Sequence, residues 1–217
     1  MEAGRKPGIR RIGIMGGTFD PIHNGHLALA DAAYRQLTLD EVLFLPAGNP
    51  PHKRTRPEGA TDSQRLAMVQ YAISDYPQFV LDQEEMRRGG LSYTKDTLLR
   101  MKDEKPDTEF FFIIGADSLM AMDTWYHPEI ICRCCHLAAA IRDEYPLEVL
   151  QGKASELEQR YHASIFMLNT PRIPISSTEL RRLCREGRSI RSYVPAAVAD
   201  FIEKNDIYGS QAYNERL

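Results

Sequence analysis

The sequence predicts an α/β fold, a doubly wound parallel sheet followed by a small C-terminal helical segment. Two observations carry this. Short apolar runs alternate with segments of helical period along most of the 217 residues. The first apolar run also ends in a glycine pair that leads straight into an amphipathic segment, a strand-to-helix turn of the kind at which open sheets bind ligands.

Taken in order, Ile12 to Met15 reads as a buried strand, and Leu27, Ala30, Tyr34 and Leu37 recur at helical spacing after it. Val42 to Pro46 is a second strand, running into a proline-rich loop over 47–54. Asp62 is expected to cap a helix that turns Leu66, Val69, Ala72 and Ile73 inward. Phe79 to Leu81 is a third strand, and the charged stretch Asp82 to Gly90 is expected to be a connecting loop. A helix starts at Thr94 or Asp96 and stops before Pro106. Phe110 to Ile114 is apolar without alternation, as expected at a sheet centre. Leu137 to Ile141 and Ile165 to Leu168 are further strands, with a helix over Leu147 to Tyr161 between them. From Ser176 the pattern gives two short helices around Gly187, the second beginning near Pro195. No repeat or linker divides the chain. One domain over 1–217 is expected, with 176–208 as its C-terminal helical segment and frayed ends at 1–9 and 209–217.

The densest chemistry lies in Gly16-Gly17-Thr18-Phe19-Asp20-Pro21-Ile22-His23-Asn24-Gly25-His26-Leu27. Gly16 and Gly17 let backbone N–H groups approach a ligand. A helix beginning near Asn24 aims its positive end at the same place. His23 and His26 lie three apart across the helix start, and Gly25 leaves room above its first turn. Imidazoles and a helix N-terminus converging on one point suggest a polyphosphate site. A metal pair is disfavoured, because no third ligand is near.

Other stretches add to this. Ser176-Ser177-Thr178-Glu179 matches a capping box, and with Arg181 in its first turn this helix start is a second anion site. Asp117, just past the end of Phe110–Ile114, can accept ribose hydroxyls or hold a hydrated Mg²⁺; capping the short helix through Leu119 and Met122 is its plainer role. Trp125, the one tryptophan, lies in a polar stretch ending at Pro128 and is expected near the surface. Cys132, Cys134 and Cys135 precede His136, but C-x-C-C-H is not a usual zinc spacing. They read as small apolar residues at a helix end.

The turn GGTFDPIHNGHL resembles the signature of the nucleotidyltransferase superfamily, whose T/H-x-G-H motif binds a nucleoside triphosphate. Ser92-Tyr93-Thr94-Lys95-Asp96-Thr97-Leu98, Phe112-Ile113-Ile114-Gly115-Ala116-Asp117 and Ile175-Ser176-Ser177-Thr178-Glu179-Leu180-Arg181 narrow the resemblance to the bacterial nicotinate mononucleotide adenylyltransferases. The resemblance implies a Rossmann-like sheet and adenylyl transfer from ATP to nicotinate mononucleotide in NAD synthesis, with Mg²⁺ held mainly by phosphates and water. It implies an ATP site at Gly16, Gly17, Thr18, Phe19, His23, Gly25, His26, Asp117, Ser176, Thr178 and Arg181, of which His23, His26 and Arg181 serve catalysis. It places the mononucleotide at His52, Lys53, Tyr93, Thr94, Asp117, Trp125 and Tyr126, with Trp125 stacked on the pyridine and the backbone N–H groups of Thr94 and Tyr126 on its carboxylate. The alternatives are another acceptor, nicotinamide mononucleotide or phosphopantetheine, or a non-catalytic nucleotide sensor on the same fold.

Composition sets the remaining bounds. A net charge of −3 makes no case for nucleic acid. No apolar run approaches the roughly 20 residues needed to span a bilayer. Met1 to Arg11 lacks the apolar segment of a signal peptide. A cytoplasmic location is therefore expected, and homo-oligomerisation is left open.

Overall fold

The computed structural model describes residues 8–48, 59–89, 91–141, 145–171 and 174–209. Six strands form one sheet: β1 (Arg10–Gly17), β2 (Glu41–Pro46), β3 (Phe79–Leu81), β4 (Thr108–Ile114), β5 (His136–Ile141) and β6 (Ile165–Asn169). Their order is β3-β2-β1-β4-β5-β6 and every neighbouring pair is parallel. This is the Rossmann-like arrangement expected. The order reverses between β1 and β4, so the crevice beyond the C-terminal ends of those strands is the natural ligand position.

The helices are α1 (Asn24–Gln36), α2 (Asp62–Ile73), α3 (Glu84–Arg88), α4 (Thr94–Glu104), α5 (Ala116–Met120), α6 (Pro128–Cys134), α7 (Leu147–Tyr161), α8 (Ser177–Arg185) and α9 (Ala196–Lys204). Short 3₁₀ turns occupy Met122–Thr124 and Ile207–Gly209. Strand side chains alternate between two cores. Met15, Phe44, Phe111 and Ile113 meet residues of α1, α2, α8 and α9 on one face. Ile12, Ile14, Phe110, Phe112 and Ile114 meet residues of α4, α5, α6 and α7 on the other. Because both faces are covered, β4 shows no polar alternation. Among the described residues no helix is long and apolar enough to cross a membrane.

Some local expectations need correction. Thr61, not Asp62, caps α2. Its extended backbone lets Oγ1 accept from the Gln64 N–H at 3.2 Å while Gln64 Oε1 accepts from the Thr61 N–H at 2.8 Å. Leu66 is half-buried, and Met68 takes the inward position beside Val69. The stretch after Asp82 is not all loop. The Asp82 carboxylate accepts from the Glu84 N–H at 2.9 Å and starts α3, which ends at Gly89 with φ 65°. At α8 half of the capping box forms: Ser176 Oγ accepts from the Glu179 N–H, but the Glu179 carboxylate turns to Arg182. Gly115, not Asp117, is the N-cap of α5.

The cysteines sit as small apolar residues at the end of α6 and the start of the chain into β5, and Cys184 lies inside α8. All are free and buried. Among the described residues no cluster of three metal-binding side chains occurs. Burial pushes the thiols of Cys132 and Cys184 up to about 11, and that of Cys135 higher still. At about pH 8 a thiol reagent should therefore label the native protein roughly 100-fold more slowly than the denatured chain. Rapid labelling of any of these cysteines in the native state would contradict the burial described.

Candidate active site

β1 delivers Gly16 and Gly17 to the switch point, and both are packed as well as open to backbone approach. A Cβ on Gly16 would sit 3.3 Å from the Phe112 ring, and one on Gly17 would sit 3.1 Å from the Phe19 ring. Phe19 holds φ 50°, a region bulky residues rarely enter. Its ring is fixed by burial, 5.8 Å from Phe44 and edge-on to His26 at 5.1 Å between centroids.

His23 is the N-cap residue of α1, and the helix has no acidic residue in its first turn to cancel the positive end. The His23 N–H donates to Nδ1 of His26 at 3.2 Å. That leaves the proton of a neutral His26 on Nε2, so its outer nitrogen is a hydrogen-bond donor. The rings of His23 and His26 stack at 3.7 Å between centroids. The chain has brought them to one side of the helix start, as their spacing predicts. The Asn24 N–H is engaged by the Tyr193 carbonyl at 2.8 Å, which ties α1 to the turn before α9.

Behind this turn lies a polar cluster that sequence reasoning did not identify. Asp20 is 3% exposed. Its Oδ1 accepts from the Ala60 N–H at 3.0 Å and from the Tyr208 hydroxyl at 2.6 Å, and its backbone carbonyl accepts from Arg181 Nη1 at 2.5 Å. Arg181 Nη2 also donates to Thr178 Oγ1 at 3.1 Å. Arg181 is thus buried against the turn, while Ser176 and Thr178 at the start of α8 are exposed. Arg65 is a second buried clamp. It donates to the carbonyls of Thr18 at 2.8 Å and Ala47 at 2.9 Å, joining the ends of β1 and β2, and is balanced by Asp62 at 2.7 Å.

A cavity of about 370 Å³ opens beside the glycines. Gly16, Gly17 and Thr18 form one side, Ser92, Tyr93 and Thr94 a second, and Trp125 and Tyr126 a third; Phe112 and Leu98 lie beneath. Tyr93 and Tyr126 meet at 4.6 Å between centroids, and Trp125 stands edge-on to Phe112 at 5.8 Å. The turn before Trp125 is anchored to α7, because Asp123 accepts from Lys153, from Tyr161 at 3.0 Å and from Arg160 at 3.3 Å. The Lys153 hydrogen bond, with Tyr161 and the positive charges beside it, holds the Asp123 carboxyl below the ordinary carboxylate range.

The structure therefore gathers Gly16, Gly17, Thr18, Tyr93, Thr94, Trp125 and Tyr126 around one cavity. Asp117 is exposed in the first turn of α5, just past β4, and its neighbour Ser118 reaches the cavity. The ring of Phe19 turns into the core. His52 and Lys53 lie outside the described residues.

A family model for cytidylyltransferase-like proteins matches residues 14–183. A relative from Lachnoclostridium phytofermentans, named a probable nicotinate-nucleotide adenylyltransferase, is 44% identical over 92% of this chain and all of its own length. The chain belongs to the nicotinate-nucleotide adenylyltransferases of the cytidylyltransferase-like family. A relative of the same name from Thermomicrobium roseum is 39% identical, with 91% of each chain covered. Among solved structures, a Plasmodium falciparum nicotinic acid mononucleotide adenylyltransferase complexed with NaAD superposes with a TM-score of 0.76 at 20% identity, covering 92% of this chain and 98% of that one. At that identity the likeness is one of fold, and it agrees with the six-stranded parallel sheet of this family member.

The Tyr208 contact gives a stability prediction. Tyr208→Phe leaves Asp20 short of a donor in a buried place and should lower stability by about 1–3 kcal/mol at neutral pH. Burial, reinforced by the Asp20 charge and hydrogen bond, pushes the Tyr208 phenol far above its ordinary value. The folded state keeps a proton that the unfolded chain releases near pH 10, so this contribution is full below about pH 10 and is lost as pH rises further. Denaturant titrations at about pH 7 and pH 11 should show the gap between parent and variant narrowing at the higher pH. A gap that stays constant would exclude Tyr208 as the buried titrating group.

Proposed function

We propose that this chain transfers the adenylyl group of ATP to nicotinate mononucleotide, giving deamido-NAD⁺ and pyrophosphate. The observation that supports it most is the continuity of the aromatic cavity with the glycine turn. A flat ring between Trp125 and Tyr93 would place its attached phosphate toward Gly16–Thr18, where the turn leads on to His23 and the start of α1.

The acceptor phosphate is already an anion at neutral pH and needs no protein base. It attacks the α-phosphorus of ATP, the bond to the bridging oxygen breaks, and pyrophosphate leaves. What the chain supplies is alignment and fixed donors. The His26 Nε2–H and the start of α1 would offset charge that grows on the leaving oxygen; the His23 ring stacks on that of His26, whose Nδ1 is engaged by the His23 N–H. Gly16, Gly17, Thr18 and Gly25 give ATP close backbone approach, and Phe19 contributes through its backbone because its ring is buried. Ser176 and Thr178, exposed at the start of α8, would serve the β- and γ-phosphates. Arg181 holds that helix start against the turn, bringing its charge to the same end. Asp117 serves the sugars between the nucleotides, and His52 and Lys53 the mononucleotide phosphate. A Mg²⁺ carried by the β- and γ-phosphates would neutralise part of their charge; Asp117, exposed beyond β4, suits it through water rather than as one of a protein ligand set. The nicotinate carboxylate is met by backbone N–H groups at Thr94 and Tyr126.

Pyrophosphate release with ATP and a panel of phosphorylated acceptors tests the assignment. Nicotinate mononucleotide should give the highest kcat/KM, since donors facing a carboxamide NH₂ are left unpaired at about 1–3 kcal/mol. An equal or higher value for nicotinamide mononucleotide, or for phosphopantetheine, would void the acceptor. ATP binding without turnover would favour a sensor. His26→Ala should lower kcat ~100- to 1,000-fold. Nicotinate mononucleotide affinity, read from the fluorescence of Trp125, should stay near the parent value. Trp125→Ala should weaken acid and amide forms by similar factors, because stacking area serves either ring.

A further inference from the structure

The side chain lining the aromatic cavity that is hardest to explain is Glu85. It is the carboxyl among the described lining residues, and no Lys, Arg or His stands among them. Glu85 is 7% exposed. A buried carboxyl is costly unless hydrogen-bonded, and here it sits in a cavity assigned to an anionic acceptor, where its charge opposes binding. Its value must then lie in what it holds.

What it holds is specific. Thr97 Oγ1, itself buried in the first turns of α4, donates to Glu85 Oε1 at 2.8 Å. The loop after β2 meets the same point. A Cβ on Gly48 would lie 2.5 Å from the Glu85 carbonyl oxygen and 3.1 Å from Ser92 Oγ, so these backbones touch and only glycine fits between them. Burial pushes the Glu85 carboxyl up, opposed by the Thr97 hydrogen bond, the charge of Arg88, the Gly48 N–H and the Ser92 hydroxyl. The short helix α3 thereby ties α4 to the end of β2. Between Ser92 and Thr97 lie Tyr93 and Thr94, which line the cavity where the Tyr93 ring meets that of Tyr126.

We propose that Glu85 is a positioning residue for the acceptor: through Thr97 it fixes the Ser92–Thr94 turn beside Trp125–Tyr126, and so the fit of the pyridine mononucleotide. This rests on the mononucleotide occupying the cavity. If that is wrong, nicotinate mononucleotide will fail to quench Trp125 of the parent enzyme, before any variant is made. The test compares Glu85→Ala, Glu85→Gln and Thr97→Val by steady-state kinetics and by mononucleotide quenching of Trp125. Glu85→Ala should raise KM and Kd for nicotinate mononucleotide about 10-fold or more, with KM for ATP within about twofold of the parent. Glu85→Gln keeps an oxygen for the Thr97 hydroxyl and should restore most of the loss. Thr97→Val should raise the mononucleotide KM several-fold, and it carries the test alone should Glu85→Ala not fold. A mononucleotide KM unchanged in Glu85→Ala or Thr97→Val would overturn the proposal. So would equal rises for both substrates, or a Glu85→Gln enzyme as impaired as Glu85→Ala.

Discussion

Asp20 is the residue on which the glycine turn depends. Its carboxylate and carbonyl collect donors from the start of the α2 segment, from α8 and from the last 3₁₀ turn, all while it sits between the glycines and His23. A glycine-rich turn has little conformational preference of its own. The convergence of hydrogen bonds on one buried side chain replaces the rigidity that side chains at Gly16 and Gly17 would otherwise give. Arg65 does the same for the neighbouring loop by bonding the carbonyls of Thr18 and Ala47. Rigidity at this site is imported from long-range polar contacts rather than generated locally.

The strand order explains why the two halves of the site are adjacent. β1 and β4 pair at the sheet centre, and their chains leave on opposite faces, β1 toward α1 and β4 toward α5. The gap between these departures is the crevice. The glycine turn and stacked histidines occupy one lip, and Ser118 and Trp125 occupy the other. Catalysis by alignment needs lips that do not move independently. Here each is pinned to a distant helix, one through Arg181 to α8 and one through Asp123 to α7.

Much of this was legible in the sequence because the governing signals are local. Alternating apolar runs set the six strands, and the spacing of His23 and His26 set their rings on one side of the helix start. The placement of α7 over Leu147–Tyr161 followed from periodicity alone. What was not legible involved partners far apart in sequence. Glu85 lay in a charged run that read as loop, because the Asp82 bond to the Glu84 N–H at the start of α3 and the Thr97 bond to Glu85 have no periodic signature. Tyr208 looked like the edge of a frayed tail, because the Asp20 carboxylate it meets lies 188 residues away. Arg65 carried no signal, because the carbonyls it bonds belong to Thr18 and Ala47, 47 and 18 residues away. The Thr61 cap was a different failure: T-x-x-Q was present, and the neighbouring Asp62 was preferred.

The Tyr208–Asp20 contact also bears on when the protein becomes an enzyme during its own synthesis. Asp20 leaves the ribosome well before Arg181 and Tyr208, the donors that close around it 161 and 188 residues later. Domains fold as the chain emerges, and contacts of such sequence separation form late. The motif that would bind ATP is thus made long before it is completed, which keeps a partial chain from presenting a finished nucleotide site while its hydrophobic sheet is still being assembled.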